Sequence, residues 1–178
     1  MRWHVCQRTM APPSTSHEIR TMSSNAFIGQ PHDFDFLVGR WKVANRRLRR
    51  RFAGSDDWEH FDGVQQAWSH LDGVLSVDEI VLPTLGFSGA SVRALDLARG
   101  RWAIHWIHSA QGTLFPPVHG GWCGDRGEFR GTDEDDGCPV QVRFVWQRLG
   151  ADRARWEQSF SLDGTAWELN WVMALSRL

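Results

Sequence analysis

The chain has 178 residues, 42% of them hydrophobic, and a formal net charge of -1. That length and apolar share suit one domain with a proper core, and the balanced charge gives no whole-protein field toward nucleic acid or an anionic membrane. No apolar run approaches the roughly 20 residues of a membrane span, so neither nucleic acid nor membrane is expected as a partner.

Residues 1–30 hold Arg2 and Arg8 but no apolar h-region, which speaks against a secretory signal. Pro12, Pro13 and a Ser/Thr cluster make this stretch a disordered, dispensable leader, with Met22 as an alternative start. Residues 31–178 are then the folded domain. Cys6, Cys123 and Cys138 are an odd count without metal-ligand spacing. A Cys123–Cys138 bridge between neighbouring strands is one reading; reduced thiols in a cytoplasmic protein are the preferred one.

From Asp33 onward the apolar period is two rather than 3.6, and turn residues recur at short intervals. A helical turn fits 31–37. After Gly39, Trp41, Val43 and Asn45 alternate with Lys42, Ala44 and Arg46. Strands follow at 58–71 and 74–82, joined at Asp72-Gly73, a strong hairpin signal. Residues 87–97 and 101–109 flank the Ala98-Arg99-Gly100 turn. Further strands are expected at 113–122, 127–130, 140–149, 153–161 and 166–178, the last two joined at Asp163-Gly164. About nine or ten short strands linked by tight turns predict an all-β, antiparallel up-and-down barrel, since closure removes exposed edges. A two-sheet sandwich gives the same strand count and is the alternative.

The segment Asp33-Phe34-Asp35-Phe36-Leu37-Val38-Gly39-Arg40-Trp41 carries a resemblance. Its Gly-x-Trp resembles the opening signature of calycins, the lipocalin and fatty-acid-binding superfamily. The longer Phe-x-Phe-x-x-Gly-x-Trp form is similar to a family of bacterial lipocalin-like domains of unknown function. The likeness continues through Gly112-Thr113-Leu114, Gly127-Glu128-Phe129, Val142-Arg143-Phe144 and the stretch from Trp156 to Ser161. It ends at Asp163-Gly164-Thr165-Ala166-Trp167, one residue shorter than the family's usual last hairpin. It implies a barrel with a central pocket and no settled activity. Gly39 and Trp41 are structural under this reading, with Trp41 plugging one end.

The candidate ligand-binding residues lie on five strands. Trp106 and His108 share one face of their strand with Trp102 and Ile104, whereas His105 is on the other. The two histidines therefore cannot hold one metal without a bulge. His119 lies by a Pro116-Pro117 and Gly120-Gly121 bend, where backbone could approach a ligand. Without matching parity or a carboxylate pattern, neither zinc nor haem is predicted, and no cofactor is expected.

Arg143, Glu157 and Asn170 fall on three successive strands, opposite in parity to sets that include Phe144, Trp156 and Trp171. Either the aromatic sets face inward and the polar face is solvated, or the polar residues enter a cavity and grip a ligand head. The second arrangement would leave aromatics outside and call for a homodimer to cover them. The run from Arg46 to Arg51 reads as a solvated rim or an anion-attracting portal. Residues 133–137 read as an acidic hairpin tip.

The expected function is binding of a small, mainly apolar or amphipathic molecule in the barrel. Two alternatives remain: a cofactor-free cyclase or isomerase using the same pocket, and a non-catalytic dimerising domain with a filled core.

Overall fold

The computed structural model describes residues 26–178. Ten antiparallel strands close into one barrel. In chain order they are β1 (Gly39–Leu48), β2 (Trp58–His70), β3 (Leu75–Leu82), β4 (Phe87–Asp96), β5 (Arg101–His108), β6 (Val118–Cys123), β7 (Arg126–Asp135), β8 (Cys138–Arg148), β9 (Arg153–Ser161) and β10 (Glu168–Arg177). Each strand pairs with the next, and β1 closes on β10. Besides strands, the described residues hold two 3₁₀ turns, Asp35–Leu37 and Pro83–Leu85. No helix among the described residues is long and apolar enough to cross a membrane.

The barrel, rather than the sandwich, is adopted because the meander returns its last strand to its first, with Trp41 opposite Arg177 and Arg47 opposite Trp171. No ladder is left unpaired at either side. The hairpins expected from sequence are present; Asp72 and Gly73 take φ of 52° and 80°, the left-handed values such turns require. Several boundaries differ, among them the starts of β8 at Cys138 and β10 at Glu168. β6 begins at Val118, because Pro116 and Pro117 cannot donate to a ladder and Leu114 makes only an isolated bridge to Ile107. β7 runs through the acidic segment to Asp135, so the tip is only Asp136-Gly137. β1 keeps Arg46 and Arg47 in the wall, and only residues beyond Leu48 enter the loop.

One end of the barrel is filled by the segment 31–38. Phe34 is 1% exposed, and its ring meets Trp102 at 5.0 Å and Trp122 at 5.4 Å, both edge-on. Trp102 Nε1 donates to Asp33 at 3.0 Å, and Arg148 donates to the Asp33 carbonyl at 2.6 Å while lying over Trp122. Trp41 is fully buried there, and its Nε1 donates to the Leu37 carbonyl at 2.7 Å. Gly39 has φ of 111°, so the chain turns from plug to strand at a position that suits glycine.

Most of the expected leader, including Cys6 and Met22, lies outside the described residues. Its last residues do not: Ile28 bridges Trp122 in both directions, and the Gly29 amide donates to the Gly100 carbonyl. Gly121 sits against this segment, where a Cβ would meet Ile28 backbone at 2.4 Å. The packed chain therefore starts a few residues before 31. Cys123 and Cys138 are free thiols, Cys123 ending β6 at the plugged end and Cys138 opening β8 at the other. The bridge between them is ruled out by the length of the barrel.

Candidate functional site

Beyond the plug the barrel encloses a cavity of about 230 Å³. It has two unlike walls. The inward positions of β8, β9 and β10 supply Phe144, Trp146, Trp156, Phe160, Trp171 and Met173. Phe144 and Trp156 meet at 4.9 Å, and Trp156 and Trp171 at 5.8 Å, all edge to face. Asn45, itself buried on β1, accepts from Trp171 Nε1 at 3.0 Å and fixes that ring.

The facing wall, from β2, β3 and β4, is polar. Register sets Asp78 opposite Ser91 and Ser76 opposite Arg93, while Gln65 on β2 lies opposite Ile80, the next inward position after Asp78. Gln65, Ser76, Asp78 and Arg93 are each 2–3% exposed. Asp78 and Arg93 form an ion pair, as burial of either charge demands. The Arg93 guanidinium lies over Phe34 at 5.0 Å and Trp146 at 5.7 Å, so it forms the floor of the cavity above the plug. Two donors on this wall have no partner, Gln65 Nε2 and Arg93 Nε.

Trp106, on β5, joins the two walls. It packs over Gly89, where a Cβ would fall 2.1 Å from the indole. The glycine is therefore what lets the ring approach β4 so closely. At the mouth, Arg47 stacks over Trp171 and bonds Glu59, and Arg51 reaches from the β1–β2 loop to Asp135. Phe115 and Pro116 cover a third side, held by the Phe115 amide donating to the Trp106 carbonyl. Asp133, also at the mouth, has its carboxyl pushed up by burial and by the nearby Asp135 and Glu134 charges.

The structure brings Trp106 and Trp171 to the cavity. Asn170 stands just behind its wall: a bulge between Leu169 and Trp171 breaks the parity, and the 1%-exposed Asn170 accepts from Gln158, which lines the cavity. The other candidates lie elsewhere. Arg143 is on the outer face over Trp167 at 4.6 Å, with burial pushing its guanidinium down. Glu157 is outside too, bonded to Arg155 at 2.7 Å. The aromatic sets face inward, so the arrangement that called for a covering partner is not the one adopted. His108 ends β5 at the rim, its ring on Phe87 at 4.1 Å. His119 is outside, opposite Ala103 and Arg130, where burial and the Arg101 charge hold its imidazole below the usual range. Among the described residues no three His, Cys, Asp or Glu side chains converge as a metal site would need.

Sequence reasoning passed over Gln65, Asp78 and Arg93. The only signal was the regular placing of a polar residue two from a small or apolar one in each strand, as in Ser76-x-Asp78-x-Ile80. No family model matches this chain, and no curated protein is significantly similar to it, so the reading of the site stands on its geometry.

Proposed function

We propose that this barrel binds a small, mainly apolar molecule in its cavity, in the manner of a calycin. The observation that carries the reading is the two-walled chamber itself: an aromatic side for a ligand body and a compact polar side for its head. A filled core would have placed a large side chain at the middle of β4, where small Ser91 lines the chamber instead.

The enzyme alternative has less behind it. Asp133, whose proton is held more tightly than usual, sits at the mouth, away from the enclosed aromatic wall where a reacting body would lie. Native mass spectrometry of the protein purified from its own host tests the proposal. A retained organic molecule, released on denaturation, is expected. An adduct-free protein that also fails to take up small arenes overturns it.

A further inference from the structure

We propose that the ligand is a non-acidic, planar ring compound of one or two fused rings, carrying a neutral hydrogen-bond acceptor such as an amide or ketone carbonyl, set head-down against Gln65 and Arg93. This rests on the binding reading above and specifies its ligand.

Charge comes first. The one cation on the cavity floor, Arg93, already faces Asp78. At the mouth, Arg51 is matched by Asp135 and Arg47 by Glu59. An acid entering the chamber would bring a negative charge with no unpaired cation left to meet it, and such burial is strongly disfavoured. The head must nevertheless be polar, because an all-hydrocarbon ligand would leave Gln65 Nε2 and Arg93 Nε, both buried donors, without acceptors. Donors without partners call for an acceptor.

The body follows from the opposite wall. Phe144, Trp156 and Trp171 are locked edge to face, and Trp106 packs closely against Gly89. Flat ring faces and edges fit an aromatic or conjugated partner better than a coiled methylene chain. Size sets the limit: a dry cavity of about 150 Å³ takes one benzene, so about 230 Å³ suits one or two rings and not a long acyl chain.

Three probes of one shape test this on the full-length protein by tryptophan fluorescence: naphthalene, naphthamide and naphthoate. Naphthamide should bind on the order of five- to tenfold more tightly than naphthalene, the worth of a buried neutral hydrogen bond, and naphthoate more weakly than either. Gln65→Leu should erase most of the naphthamide advantage while naphthalene binding stays. Asp78→Asn, which frees the Arg93 charge, should move the preference toward naphthoate. If naphthalene and naphthamide bind alike, or naphthoate binds best to the unaltered protein, the ligand class is overturned while the binding reading stands. If none of the three binds, both fall.

Discussion

Arg51, in the loop after β1, donates from Nε to both carboxylate oxygens of Asp135 at 2.8 Å, joining the first hairpin to the end of β7 across 84 residues of chain. The bonded carboxylate holds the Arg51 guanidinium above its usual range. The next residue is tied as well, since the Phe52 amide donates to Glu168 on β10 at 2.9 Å. The loop is thereby drawn over the mouth from two sides.

Arg51→Ala should open that mouth. Loss of a bidentate, partly buried pair costs about 1–2 kcal/mol, to be read by urea denaturation. Release of a bound arene should quicken several-fold in stopped-flow fluorescence. Unchanged release would show that the loop does not control access.

Trp41→Ala should unfold or aggregate the protein. The indole is fully buried beside the plug, under the Arg177 guanidinium at 4.3 Å. Removing a buried Trp side chain typically costs ~3–5 kcal/mol. A near-normal denaturation midpoint would show that the plug holds without it.

Arg143→Ala and Glu157→Ala should each change stability by only about 0–1 kcal/mol, as surface pairs and exposed cation–π contacts do. Arene uptake should not change, because both side chains lie on the outer face. Loss of uptake in either variant would mean that the polar outer face communicates with the chamber.

Two groups should tilt the pH profile in opposite senses. The fold lowers the His119 pKa below 6.5, chiefly by burial, so the unfolded chain binds more protons there. Stability therefore falls as pH drops below about 6.5, and His119→Gln should flatten that slope. The fold raises the Asp133 pKa above 3.8, again chiefly by burial, so its ionised form opposes folding. Asp133→Asn should stabilise the protein at neutral pH by a few tenths of a kcal/mol, on the order of surface effects, and should not do so below pH 3.8. Thermal melts across pH 3 to 8 would read both. A neutral-pH loss of stability in Asp133→Asn would reverse its assignment.

The fold was legible in the chain. Period-two alternation, the Asp72-Gly73 and Asp163-Gly164 turns and the absence of helical periodicity are local properties, and each hairpin is decided within a dozen residues. Where β6 and β10 begin was less legible, because a ladder needs a partner as well as propensity. The site was mostly illegible, and β2 and β3 show why. There the apolar residues Val64, Trp68 and Val81 lie outside, 39–45% exposed, while Gln65, Ser76 and Asp78 point inward. Alternation reveals that two faces differ, and hydrophobicity then suggests which is inside. That suggestion holds for β8–β10, where aromatics fill the interior, and only in part on the wall opposite, where Phe61, Ile80 and Leu82 are buried in the same strands as those polar residues. Closure of the barrel brought Trp171 to Asn45, and the pairing of β3 with β4 brought Asp78 to Arg93, contacts between neighbouring strands whose facing no single strand determines. The sequence by itself determined the strands and turns; the tertiary structure decided which side of each strand became the chamber, because burial of a charge depends on a partner supplied from elsewhere in the chain.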